Sequence, residues 1–197
     1  MLSNIKRITT PLVLATLLSS SLVANEANNI YLGISSGYTT LKSDNSNTLT
    51  LNTIDNSGYN FVLELGYILS ESLNISMDYQ KVKNDSVSLN NYYIATEYSF
   101  IKSDNFTPYI GASIGSSELT WQTQPIDTTQ NDLKSNSYVL GGTLGTQYKL
   151  NDEFSLNLNY QLHFLNDHTT KIDTLTQKGE IEHTLSHSLN VGVRYFF

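Results

Sequence analysis

From Asn29 to the C-terminus, large apolar residues fall on every second position in eight separate runs, and no run shows helical spacing. The alternation predicts strands over 30–40, 58–68, 73–83, 91–101, 107–117, 137–149, 154–165 and 185–197. Three connections are short, through "SES", "KSDN" and "NDE", and alternate with four polar links over 41–57, 84–90, 118–136 and 166–184. Short turns at one end and longer loops at the other predict an antiparallel up-and-down meander with an even number of strands.

The two faces of these strands differ in kind. One carries Leu32 and Ile34, Phe61 and Leu63, Ile75 and Met77, Ile94, Ile110 and Ile114, Leu140 and Leu144, Leu156 and Leu158, and Val191. The other carries Gly33 and Ser35, Asn60 and Glu64, Ser76 and Asp78, Glu97, Gly111 and Ser113, Gly141 and Thr143, Asn157 and Asn159, and Asn190 and Arg194. Eight strands closed into a barrel leave a lumen just wide enough for side chains to fill. Small and polar residues suit that lumen, and the bulky apolar set then faces outward, which is stable only against lipid. The expected fold is all-β, an eight-stranded antiparallel up-and-down transmembrane β-barrel. Tyr138 and Tyr148 bracket one strand on its outer face, as Tyr59 and Tyr67, Tyr92 and Phe100, and Phe154 and Phe164 bracket others. Ten residues at about 3.3 Å, tilted about 40°, span roughly 25 Å along the membrane normal, the height of a lipid-facing band between aromatic girdles.

Composition agrees. Charged residues make up 15% of the chain, and its apolar residues occur in no stretch after the N-terminus long enough for a membrane helix. Lys6 and Arg7 followed by "PLVLATLL" and "SSSLVAN" read as a signal peptide over 1–24, with Ala27 as the other candidate for the last residue removed, ahead of a barrel domain over 28–197. Removing Lys6 and Arg7 leaves 9 basic against 18 acidic residues, a net charge of −9, so no nucleic-acid partner is expected. The chain contains 0 cysteines, so no disulfide framework holds it.

The ending "VGVRYFF" resembles the C-terminal signature of bacterial outer-membrane β-barrels, and with the signal peptide and eight strands the whole chain resembles the small OmpA/OmpX-like barrels. The resemblance implies a monomer in the outer membrane of a Gram-negative bacterium, periplasmic termini, three periplasmic turns and four surface loops. It also implies that Phe197, Tyr195 and Val193 form the assembly signal read by the barrel-assembly machinery. The sequence ends at the barrel, so the periplasmic peptidoglycan-binding domain of full-length OmpA-type proteins is not expected.

Within the predicted lumen, Glu64, Asp78, Glu97 and Arg194 fall at similar depth, which predicts a charge cluster that plugs the barrel. Three acids and one base leave a surplus of carboxylate, and Lys149 is the next base within reach. Lys81 and Lys83 share the outer face near the long-loop end, where they either contact lipopolysaccharide phosphates or snorkel as a pair with no specific ligand. The segment "EHTLSHS" brings Glu182, His183, Ser186, His187 and Ser188 together, the residue types of a lipid A acyl-modifying site, but supplies no oxyanion donor. His163, His168, His183 and His187 lack a fixed metal-ligand spacing and read as solvated loop histidines. No enzyme activity, cofactor or metal is expected. The function that emerges is a structural or surface-interaction role carried by the loops. A narrow ion or solute channel is the alternative, and a lipid A-modifying enzyme stands third.

Overall fold

The computed structural model describes residues 29–46, 56–100, 105–122, 134–173 and 178–197. Eight strands close in sequence order: β1 (Ile30–Ser46), β2 (Ser57–Ser70), β3 (Leu73–Lys83), β4 (Val87–Ser99), β5 (Phe106–Trp121), β6 (Lys134–Lys149), β7 (Phe154–Asp173) and β8 (Lys178–Phe196). Every neighbouring pair is antiparallel, and the seam pairs β1 with β8 from Tyr31↔Phe196 upward. Closure leaves no free edge along the barrel wall, which is what a β-structure needs in a medium without water. The expected signal peptide lies outside the described residues.

The faces follow the alternation. Leu32, Ile34, Leu63, Met77, Ile94, Ile110, Ile114, Leu140, Leu144, Leu156, Leu158 and Val191 are all exposed on the outer wall. Tyr38, Tyr59, Tyr92 and Tyr138 are exposed toward one rim, and Phe106, Tyr148, Phe154 and Phe197 toward the other. Tyr38 and Tyr59 meet edge to face with ring centroids 5.9 Å apart, so neighbouring strands join in a continuous girdle. The apolar area displayed this way far exceeds what a water-soluble surface carries, and an acyl-chain environment accounts for it.

Two features depart from the expected outline. Several strands run well beyond the predicted ends at the long-loop side, and the link expected over 84–90 is a tight turn at 84–86. There the Asn84 side-chain oxygen accepts from the backbone N–H of Ser86 at 2.9 Å and of Val87 at 2.6 Å, so one residue closes the reversal. Asn151 does the same at the opposite end, accepting from Glu153 and Phe154 at 2.9 and 2.7 Å. The inner face is also less uniformly small and polar than alternation implied. Tyr31, Tyr93 and Tyr109 point inward, and Leu41, Val82, Val87, Leu89, Leu119, Trp121, Val139 and Leu165 form a buried apolar cluster at the long-loop end.

Candidate functional site: the filled lumen

The lumen is built in three levels. At the level nearest the termini, β8 delivers Arg194 inward, 2% exposed. Its Nη2 donates to Glu64 Oε1 from β2 and to Glu97 Oε1 from β4, both at 2.7 Å, and its Nε donates to Glu64 Oε2 at 2.9 Å. The Glu64 contact is therefore bidentate, the geometry a planar guanidinium favours. Arg194 Nη1 donates to Gln147 Oε1 at 3.4 Å, which adds β6 to the set.

Aromatic rings complete this level. The guanidinium carbon lies 5.0 Å from the Tyr31 ring centroid and 5.4 Å from that of Tyr109. Tyr31 also donates from its hydroxyl to Glu64 Oε1 at 2.9 Å. Both rings are admitted by glycines on the next strand: a Cβ at Gly66 would collide with the Tyr31 ring, and one at Gly145 would stand 2.5 Å from Tyr109 Cζ. Small residues opposite large ones are how a narrow barrel fits aromatic bulk inside.

Of the four residues predicted to cluster, Glu64, Glu97 and Arg194 thus touch directly. Asp78 lies beside them, opposite Glu64 in register on β3, but its Oδ1 has no hydrogen-bond partner among the described residues. Glu97 Oε2 is likewise unpartnered. Lys149 does not contribute. It turns out to the terminal-side rim and pairs with Asp152 at 2.7 Å, an exposed contact, because its strand ends there. That pair holds the Asp152 carboxyl below its usual range through the lysine's hydrogen bond and charge.

The middle level is an amide and hydroxyl network. Asn60 donates to Thr39 Oγ1 and Thr39 bonds Ser188, each at 2.7 Å. Asn91 donates to Gln80 Oε1 at 2.8 Å, Gln80 to Gln161 Oε1 at 3.2 Å, and Asn190 to Asn159 and Gln161 at 2.9 and 3.1 Å. These contacts cross the lumen between β3, β7 and β8, so the wall strands are bonded through the interior as well as around it. The third level is the apolar cluster around Trp121 and Leu119.

The remaining candidates separate. Ser186 and Ser188 face the lumen, while His187 faces out against Tyr160, with ring centroids 6.2 Å apart. A serine and a histidine on opposite faces of one strand cannot act together, so "SHS" forms no nucleophile and base. The reading of the histidines as solvated loop residues is overturned for three of them. His163 lies mid-strand in the lumen, with its ring 5.0 Å from that of Tyr93, and His168 and His183 are fully buried at the long-loop end. Those two stand above the apolar band, which ends at Phe164 on β7, and burial pushes both imidazoles down to about 4. Lys81 and Lys83 are exposed on the outer wall, opposite Phe61 and Tyr59 on β2. At the seam, the Phe197 backbone N–H donates to the Ile30 carbonyl at 3.0 Å. Tyr195 meets Phe154 at a tilt and Phe197 edge to face, each with centroids 5.0 Å apart, and Val193 lies opposite Ile34 and Leu156.

The sequence profile of the outer membrane protein beta-barrel domain family matches residues 10–197. No curated protein matches the chain. Among solved structures, Neisserial surface protein A superposes with a TM-score of 0.63 at 18% identity, covering 85% of this chain and 97% of the other. OprG from Pseudomonas aeruginosa gives 0.57 at 15% identity, with 87% and 97% covered. The N-terminal β-barrel domain of Pseudomonas aeruginosa OprF gives 0.54 at 12%, with 86% and 98% covered. At such identities the likeness carries the fold.

Proposed function

The chain belongs to the outer membrane protein beta-barrel domain family and lies in the outer membrane of a Gram-negative bacterium, and from that premise we propose that it is a closed scaffold whose surface connections carry its interactions. The observation that supports this reading is that side chains occupy the lumen at every level, as an ion cluster around Arg194, an amide network around Gln161 and an apolar cap around Trp121. A pore would need a continuous polar path, and the cap interrupts one. The narrow channel has one specific point in its favour, the carboxylate surplus at Asp78 and Glu97. Planar bilayer recording separates the two. The scaffold reading expects silence from the native protein, and steady cation-selective openings that Glu97→Gln weakens would overturn it. Binding by intact cells should then depend on the connections at 122–133 and 174–177, so shortening them should abolish surface binding while the barrel still assembles.

Two partners follow from the outer surface. Lys81 and Lys83 stand among the aromatic residues of the upper girdle, where lipopolysaccharide carries its phosphates, and they pair with those groups as point charges. Lipopolysaccharide retention in detergent should fall in a Lys81→Ala, Lys83→Ala variant. The assembly machinery reads the last strand through Phe197, Tyr195 and Val193. Phe197→Asp should sharply lower the heat-modifiable folded band in outer-membrane fractions, and normal accumulation of that variant would count against this assignment.

A further inference from the structure

His168 and His183 face the interior only because two strands break their own alternation. On β7, Phe164 and Asn166 face outward, so a regular strand would turn residue 168 outward as well. On β8, Leu185 pairs with the outward Phe164, and regular alternation would send residue 183 the same way. The register shifts at both places. Between β1 and β8, Lys42 pairs with Leu185 but Ser43 pairs with His183, so Thr184 is an extra residue on β8. Between β7 and β8, Phe164 pairs with Leu185 and His168 with His183, so β7 takes two more residues than β8 over the same step. A bulge gives up ladder bonds and re-aims a side chain. Here two irregularities re-aim two histidines onto the same face, directly opposite one another, at 0% exposure.

Packing alone does not ask for this. An imidazole buried without partners costs free energy that a leucine or phenylalanine at the same place would not. Yet His168 Nε2 and both ring nitrogens of His183 have no hydrogen-bond partner among the described residues. The fourth nitrogen, His168 Nδ1, lies 3.2 Å from Ser135 Oγ on β6. That hydroxyl can accept from Nδ1–H, and this tautomer leaves the Nε2 lone pair free, the arrangement that orients a metal-ligating histidine.

We propose that His168 and His183 bind one late first-row divalent ion, Zn²⁺ or Cu²⁺, between their unpartnered ring nitrogens at the extracellular end of the barrel. Imidazole is the ligand type these ions favour, and Cu²⁺ binds most tightly in the divalent series. Among the described residues no third His, Cys, Asp or Glu completes a larger group, so the two imidazoles are the ligands that the described residues supply. Its place at the base of the connections makes it a means of capturing metal or of bracing the β7–β8 hairpin.

Trp121, the sequence's 1 tryptophan, supplies the readout, since its ring centroid lies 5.5 Å from that of His183 and bound Cu²⁺ quenches indole emission at short range. The mature protein, folded in detergent micelles, is titrated with Cu²⁺ and separately with Cu²⁺ against Zn²⁺. The expected result is saturable one-to-one quenching that a chelator reverses and Zn²⁺ competes away. In His168→Ala and in His183→Ala the half-saturating Cu²⁺ concentration should rise more than roughly tenfold, since loss of a ligand's support alone costs that much. His163→Ala, deeper in the lumen, and His187→Ala, on the outer face, should leave it unchanged. Unquenched native emission, quenching that a large molar excess of Zn²⁺ leaves unrelieved, or quenching abolished by His187→Ala would each overturn the proposal. If the two alanine variants do not fold, the native competition with the His187→Ala control still decides.

Discussion

Around Arg194 the lumen is closed by polar groups in fixed geometry, whereas around Trp121 it is closed by bulk. Arg194 needs Glu64 on one side and Glu97 on the other, each 2.7 Å away, together with two rings that accept its face. Leu89 and Leu119 need only neighbours of suitable volume. The difference is in how each end tolerates loss. A charge network breaks when one member goes, because the others stay buried and unpaired, but an apolar cap loses roughly the contacts of the deleted atoms. A buried ion pair is weak evidence of net stability but strong evidence of sensitivity.

The largest expected effect breaks the charged end. Arg194→Ala should cost about 3–5 kcal/mol, because Glu64 and Glu97 are left buried without their counter-charge. Urea unfolding in lipid vesicles measures it. The same variant carrying Glu64→Gln and Glu97→Gln should recover much of the loss, whereas equal instability in the triple variant would mean that Arg194 acts through its bulk. In bilayers the single variant should gain small cation-selective openings, since carboxylates left without a counter-ion can admit water and cations. At the apolar end, Leu89→Ala should cost about 2 kcal/mol, near the low end for a buried leucine because the cap lies at the mouth and can settle. It should leave the bilayer silent. Openings as frequent as those of Arg194→Ala would show that the cap, not the ion cluster, is the true seal.

The two ends also differed in how far they could be read from the chain. Where lipid bounds the wall, period-2 alternation is enforced on every strand. Arg194, Glu64 and Glu97 could be brought together from register alone, because a narrow barrel leaves inward groups at one depth nowhere else to go. Tyr31 and Tyr109 were hidden. Their signal was the glycine directly opposite on the neighbouring strand, Gly66 and Gly145, which means nothing until the register is known. Above the belt lipid no longer forces the outer face to be apolar, so β1, β5, β7 and β8 continue through sequence that resembles loop. Leu41, Leu119 and Trp121 of the cap were lost with those strand ends, as Val87 and Leu89 were with the start of β4, and the bulges at Thr184 and beyond Phe164 inverted parity for His168 and His183. A reading by parity is right until the first irregular residue, and both irregularities that re-aim a histidine lie at the long-loop end.

A finer test asks what each part of the charged end contributes. Tyr31→Phe keeps the ring beneath Arg194 and removes only the hydroxyl that donates to Glu64. It should cost about 1 kcal/mol, the worth of one buried hydrogen bond. A loss as large as that of Arg194→Ala would mean that the tyrosine hydroxyl, not the guanidinium, fixes Glu64.

The smallest expected effect belongs to the apolar end and depends on pH. His168 and His183 are held neutral by burial, with values pushed down to about 4 from the usual 6.5. Among the described residues the groups set against them are each other, Ser135 of β6 and Trp121 of β5. The opened state binds protons that the closed state refuses, so the stability these rings contribute is fully present above pH 6.5 and is lost as pH falls toward 4. In chelator-treated protein, amide exchange at Val139 and Leu165, corrected for its intrinsic pH dependence, should therefore speed up severalfold between pH 7 and pH 6. Amides beside Arg194, such as those of Val193 and Tyr195, should stay as protected as before, because the two histidines sit at the other end of the barrel. Equal acceleration at both ends would show that they open as one unit, and that charge and bulk close the lumen together.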